Sequence, residues 1–241
     1  MAFEPGSVVR LRLVGSEEEQ FTVIHPFLPF TKSVVFLANG TRQKKVVVKL
    51  YDPRYLNDRF VLSQYRPDYP WEAALERKAV SMRMAGSFPD SLEQCLWADD
   101  DGDRAVFWEE FFYRTSMASF RDECEAYDRL VALQGTAIPR LLGRGIVIED
   151  RAIEVPAIVL EHIEGTAIRD AQAVAAEAYV ELAKAIELFR ELDVVHDDIN
   201  EGNVLLCGNR AVIIDFGRAR RLDSCGSDMR RLETLFRSKT R

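Results

Sequence analysis

Apolar and polar residues alternate from Ser7 to Val14, and the same period of two returns at Phe21–Ile24 and Ser33–Ala38. A strand with one buried and one wet face requires that alternation, so these runs predict the start of an antiparallel sheet, interrupted by Pro26 and Pro29. The most strand-like run is Lys44–Tyr51, KKVVVKLY. Period two there sets Val47, Lys49 and Tyr51 on one face and Val46, Val48 and Leu50 on the other.

The period then changes. Trp71–Met84 and Val106–Phe112 read as helices within a stretch, Asp52 to Ser116, that also holds an acidic turn at Asp99–Asp103. That turn lacks the complete calcium-binding loop with its closing glutamate, so it reads as solvated. Ala118–Gln134 predicts an amphipathic helix closed by Gly135. On it Phe120, Tyr127 and Leu130 share a face with Glu123, whereas Glu125 lies with Arg121, Asp128 and Arg129. A carboxylate on an inward face needs a partner, which marks Glu123 rather than Glu125. Ile138–Val147 and Ile153–Ile163 predict a hairpin, and Asp170–Leu192 a core helix with Val174, Ala178, Leu182, Ile186 and Phe189 at helical spacing. A last helix is expected at about Asp228–Phe236.

With 241 residues, 47% apolar and 29% charged, the chain can bury one sizeable core or two small lobes. Its 32 basic against 39 acidic residues give a net charge of -7, which argues against nucleic acid or an anionic membrane as partner. The N-terminus, MAFEPGSVVR, lacks a signal-peptide pattern and no apolar run reaches membrane-spanning length. An intracellular protein, cytoplasmic or nuclear, is expected. Cys95, Cys124, Cys207 and Cys225 form no C-x-x-C pair, so they read as reduced thiols rather than a zinc site or disulfide framework.

Candidate chemistry is concentrated in His196–Gly217, HDDINEGNVLLCGNRAVIIDFG. It sets the carboxylate of Asp198, the amide of Asn203 and the carboxylate of Asp215 around two short apolar runs that read as a hairpin. Phosphoryl transfer needs such parts: a carboxylate to accept the proton of the attacking hydroxyl, and oxygens to hold the magnesium ions that bridge nucleotide phosphates. Asp198 and Asn203 fit H-x-D-x-x-x-x-N, and Asp215 opens Asp-Phe-Gly. On these residues the sequence resembles the protein-kinase superfamily over about 1–50 and 117–220.

The resemblance implies an α+β, bilobal protein-kinase-like fold with a truncated helical C-lobe. Residues 1–163 would form the N-lobe, with an insertion at about 52–116, and 164–241 the C-lobe. It implies ATP and Mg2+, with Asp198 as base, Asn203 and Asp215 as metal ligands, Lys49 as phosphate anchor and Glu123 as its ion-pair partner. Val47, Leu160, Glu161, Ile163 and Leu205 would join Lys49 in binding the nucleotide, Glu161 and Ile163 through their backbone. For Leu160–Ile163 a plain edge strand describes the sequence equally well, and for Lys49 a snorkelling side chain is the alternative.

Four departures from the kinase pattern bear on function. His25–Ser33 has no glycine where kinases carry a glycine-rich loop; Asp197 replaces an arginine that pairs with a phosphorylated activation segment; Asn200 replaces a lysine that contacts the transferred phosphate; and only 24 residues follow Gly217. The short end looks like that of minimal atypical kinases of the RIO and KEOPS type, and the chain resembles short fungal proteins with a protein kinase domain. Gly202 before Asn203 is similar to aminoglycoside and choline phosphotransferases. The expected function is Mg-ATP-dependent transfer to a hydroxyl, with a protein serine or threonine as acceptor. Two alternatives are a nucleotide-binding pseudokinase or interaction module, and a small-molecule kinase.

Overall fold

A computed structural model of the chain describes residues 3–42, 44–60, 68–92, 104–172, 174–208, 210–221 and 227–239. The chain divides into two compact units, Met1–Ala118 with Gly143–Ile158, and Ser119–Leu142 with Val159–Arg241. This grouping gives 119–142 to the second unit, where a division at 163 would give it to the first. Strands and helices are both present and largely segregated, so the α+β class is as expected.

Six strands, β1 (Val8–Leu13), β2 (Glu18–Pro26), β3 (Val34–Gly40), β4 (Val46–Leu50), β5 (Leu141–Val147) and β6 (Pro156–Glu161), close into a barrel of order β1-β2-β3-β4-β6-β5. Alternate residues fill its interior, among them Val9, Leu11, Phe21, Val23, Phe36 and Val48. At roughly 1.5–3 kcal/mol for each large apolar side chain removed from water, these positions fix the register. The β2–β3 pairing shifts register between Val23 and His25. Pro26 then comes last in its strand, where a missing N–H is tolerated.

The 52–116 segment contains α1 (Ala73–Met84) and the start of a 26-residue helix, α2 (Arg104–Arg129). The two helices expected at Val106–Phe112 and Ala118–Gln134 are thus one. Tyr113–Met117 between them carries weak helix formers but no Gly or Pro, and burial of Ser116 and, one turn earlier, Phe112 overrides propensity. The helix also stops earlier than expected. Val131–Leu133 forms a 3-10 turn, and Gly135, at φ +77, follows that turn rather than capping α2.

Leu56, Leu92, Trp108 and Phe112 form a satellite core in the first unit. Arg59, fully buried, donates to both oxygens of Glu109 at 2.9 and 2.7 Å and lies 4.3 Å from the Phe112 ring centre. A second charged cluster ties α1 to the barrel. Arg151, in the β5–β6 turn, bonds Asp52 at 2.9 Å and Glu76 of α1, and Arg54 joins Asp52 to Glu149. The acidic turn at Asp99–Asp103 and Cys95 and Cys225 lie outside the described residues.

The second unit contains a three-stranded sheet of β7 (Thr166–Ala167), β8 (Val204–Cys207) and β9 (Arg210–Ile213), in order β7-β8-β9, with helices α3 (Ala176–Glu191) and α4 (Asp228–Lys239). The helix expected from Asp170 begins only at Ala176. Ile168–Asp170 is a 3-10 turn whose Arg169 N–H bonds the Glu201 carbonyl, and no side chain caps α3 to start it sooner. Val174 therefore precedes α3, while Ala178, Leu182, Ile186 and Phe189 supply its buried stripe. Among the described residues no helix is long and apolar enough to cross a membrane.

Candidate active site

In the second unit the β8–β9 hairpin brings the two ends of the His196–Gly217 motif together. Ile214 N–H donates to the Asn203 carbonyl at 3.0 Å, which sets Asp215 beside Asn203. Asn203 Nδ2 in turn donates to the Asp198 carbonyl at 3.0 Å and to Asp198 Oδ2 at 3.2 Å. Asp198, Asn203 and Asp215 are therefore neighbours. Neither Asn203 Oδ1 nor Asp198 Oδ1 accepts a hydrogen bond among the described residues, so one hard oxygen and one carboxylate oxygen are left for other work.

Asn200 shapes the loop between them. Its Oδ1 accepts from Gly202 N–H at 2.8 Å and its Nδ2 donates to the Asp198 carbonyl at 3.0 Å. A Cβ at Gly202 would sit 3.2 Å from Asn200 Oδ1, a tight contact that would press on the Asn200 side chain. Asn200 thus acts on the backbone of the loop, as asparagine does in an Asx turn.

His196 is fully buried. Its Nδ1 accepts from Asp198 N–H at 3.2 Å, so Nε2 carries the hydrogen and donates to the Ile214 carbonyl at 3.0 Å. Burial pushes its pKa below the ordinary value, partly offset by the Ile214 bond and the carboxylates of Asp228, Asp215 and Asp198. The ring is neutral and bridges the two halves of the motif. Phe216 lies 4.6 Å from its centre and also contacts Tyr127 and Phe189.

Asp228, at the start of α4, accepts His196 N–H at 2.7 Å and Asp197 N–H at 3.0 Å. Sequence reasoning missed this residue and its neighbours Arg220 and Arg231. The one available signal was an acid opening the last predicted helix. Tyr127 was read only as a core position. Its hydroxyl is buried and has no hydrogen bond among the described residues. Burial, then Glu123 and Asp215, push its pKa well above 10.0, so both carboxylates lie within electrostatic reach of it.

Glu123, on α2, is 0% exposed; Glu125 is exposed and bonded to Arg129 and Arg221. Leu160 is buried in β6, and Leu205 pairs with Ala167 and Val212. Glu161 N–H is already spent on the Arg140 carbonyl at 2.9 Å, and its carboxylate holds Arg140. In the first unit Val47 pairs with Leu37 and Lys49 with Val35. Lys49 is 5% exposed, with Nζ 5.5 Å from the Tyr51 ring centre. Such burial is more than a lysine with a solvated head would show.

A cavity of about 240 Å³ in the second unit is lined by Asp122, Glu125, Arg129, Asp193, Arg220 and Arg221 among others. None of the expected site residues lines it.

A family model described as the RIO domain matches residues 114–230, a span that starts in α2 and includes Glu123, Asp198, Asn203 and Asp215. Over that span, just under half of the chain, the sequence is similar to the RIO domain, an atypical protein kinase family. A solved structure of vaccinia related kinase 3 matches with TM-score 0.45 and 16% identity, covering 95% of this chain and 55% of that one. The chain thus spans about half the length of that kinase, 55% of it. No curated protein matches. The donor set is chemically apt for a divalent metal: Asn203 Oδ1 and the Asp215 carboxylate are hard oxygens of the kind that suit magnesium. Among the described residues no group of three His, Cys, Asp or Glu side chains forms a metal site by itself. Any metal would share its shell with water and phosphate oxygens.

Proposed function

We propose that the chain is a Mg-ATP-dependent phosphotransferase that passes a phosphoryl group to a hydroxyl, with a protein serine or threonine as favoured acceptor, in the cytoplasm or nucleus. The observation that carries this reading is the pair of bonds from the Asn203 amide to Asp198, with Asp215 following Ile214, whose N–H bonds the Asn203 carbonyl. Bound Mg-ATP would supply the phosphoryl group and the positive charge that steadies it. Asn203 Oδ1 and Asp215 would hold the metal. Asp198, its carboxylate oriented through Oδ2 by Asn203, offers Oδ1 to the proton of the acceptor hydroxyl. The kinase resemblance gives Lys49 the α- and β-phosphates and Glu123 the pairing with Lys49. Burial of both residues supports roles that use their charge. Val47, Leu160 and Leu205 would flank the base, with Glu161 carbonyl and Ile163 backbone at its edge.

A second reading, nucleotide binding without transfer, is favoured by the turn between β2 and β3. That turn has no glycine, and Phe30 is packed against Phe3 and Tyr55 at 5.8 Å from each ring centre. Lys32 is paired with Asp58. Such a turn is less free to fold over phosphates than a glycine-rich one. Purified protein with γ-labelled ATP, scored for autophosphorylation, free phosphate and transfer to a cell extract, separates the readings. Transfer above an Asp198→Asn background supports the first, and Mg-ATP binding with no turnover supports the second.

A further inference from the structure

Asp197 precedes the proposed base, and all of its polar groups are held. Its N–H donates to Asp228 Oδ1 at 3.0 Å, and its carbonyl accepts from Arg231 Nη1. Its Oδ2 accepts from Arg220 Nε at 3.2 Å; its Oδ1 lies 3.3 Å from Arg231 Nη2 and accepts from Ser227 Oγ at 3.4 Å. The residue sits at φ +57, in the left-handed region where Asp and Asn are the tolerated side chains after glycine. Left to itself, the chain would not favour that conformation.

The partners are themselves fixed. Arg220 exchanges both backbone hydrogen bonds with Val195, at 2.8 and 2.9 Å, and Arg231 N–H bonds the Ser227 carbonyl at 3.0 Å in the first turn of α4. Two arginines face the Asp197 carboxylate, while the Asp228 carboxylate takes the N–H groups of His196 and Asp197. Asp197 and Arg220 side chains are 24% and 36% exposed, shielded enough to prefer one arrangement over open solvent. Where an arginine at position 197 would need an added phosphate to complete its charge pairing, this chain reverses the sign. It supplies the basic partners from its own segments at 220 and 231.

We propose that Asp197, Arg220 and Arg231 form a built-in clamp that keeps the Asp198 loop in working geometry without phosphorylation, the clamp setting turnover and not nucleotide affinity. The proposal rests on the phosphotransferase reading for its kinetic consequence, but its structural part does not. Asp197 is a positioning residue, acting through the backbone that orients Asp198.

The test compares wild type, Asp197→Asn, Arg220→Gln and the double variant, all shown by intact mass to be unphosphorylated. Asn keeps the left-handed backbone preference and removes only the charge. Each single variant should lower kcat by roughly 10- to 100-fold, as a displaced catalytic group does, with Mg-ATP affinity changed less than about twofold. The double variant should lose no more than the worse single one, because the groups act as a unit. Amide hydrogen exchange over residues 197–203 should quicken in all three variants while exchange in β8 and β9 does not. Wild-type kcat in Asp197→Asn, additive losses, or wild-type activity that appears only after phosphorylation would each overturn the clamp. If wild type has no turnover at all, the phosphotransferase reading fails on its own. Exchange then decides the clamp: faster exchange confined to 197–203 supports it, and an unchanged or protein-wide pattern overturns it. Arg220 is partly exposed, so Arg220→Gln provides the same readout should Asp197→Asn fold poorly.

Discussion

Asn203 holds Asp198 at two points, its amide donating to the carbonyl at 3.0 Å and to the carboxylate at 3.2 Å. The proposed metal ligand and the proposed base are thereby one mechanical unit. We predict that Asp198→Asn retains Mg-ATP affinity but lowers turnover about 10²- to 10⁴-fold, the usual worth of a general base. Lys49→Ala should lower both affinity and turnover. Steady-state kinetics beside calorimetric titration would show the split; equal losses of affinity in the two variants would contradict it.

Nucleotide binding should depend on divalent metal through Asn203 and Asp215. The prediction is a thermal shift with ATP that is larger with magnesium than without, and that this increment disappears in Asp215→Ala. An identical shift with and without magnesium, or an undiminished increment in the variant, would remove the metal assignment.

Much of this arrangement was legible in the sequence because it is local. The spacing of Asp198 to Asn203 and the apolar runs of β8 and β9 are short-range signals, and alternation at Val46–Leu50 is what a barrel strand requires. The tertiary contributors were not legible. Asp228 accepts from two amides some thirty residues earlier in sequence, and nothing near Asp228 encodes that contact. The fusion of two expected helices into α2 was hidden for a similar reason: Thr115 and Ser116 are weak helix formers, kept helical by packing. The late start of α3 reflects a hydrogen bond from Arg169 to Glu201, again invisible to a window of neighbouring residues.

The first unit should lose stability when the buried ion pair of Arg59 and Glu109 is cut. Glu109→Ala leaves the fully buried Arg59 guanidinium without its bidentate partner, a loss on the order of 3–5 kcal/mol. Replacing both partners, Arg59→Met with Glu109→Leu, should cost much less, because no charge is then stranded. Urea unfolding of the three variants checks the order; a double variant no better than Glu109→Ala would show that the pair itself, not the stranded charge, matters.

Tyr127→Phe should stabilise the protein. The hydroxyl is buried with no hydrogen bond among the described residues, and an unmet buried polar group costs about 1–3 kcal/mol. The aromatic contact with Phe216, centres 5.6 Å apart, survives the change. A raised melting temperature is expected, and a lowered one would mean that the hydroxyl has a partner, such as a water, that matters to the fold.

The pH dependence of stability should carry the mark of His196. Its pKa in the folded protein lies below the ordinary 6.5 because burial disfavours the charged ring. Well above pH 6.5 the ring is neutral in both folded and unfolded chains, so it adds no slope there. Below that value the unfolded chain takes up a proton that the folded one refuses, and stability falls with acid until the folded pKa is reached. A single proton gives at most about 1.4 kcal/mol per pH unit. Asp52, whose carboxyl is held below 3.8 by Arg54 and Arg151 despite its burial, loses its contribution only at lower pH, outside this window. Urea midpoints at pH 7.5, 6.5 and 5.5 and fixed ionic strength should therefore fall slightly between the first two and more steeply to the third in wild type. In His196→Gln, which keeps a donor for the Ile214 carbonyl but cannot be protonated, that final drop should shrink. Equal slopes in the two proteins would show that His196 is not the group responsible.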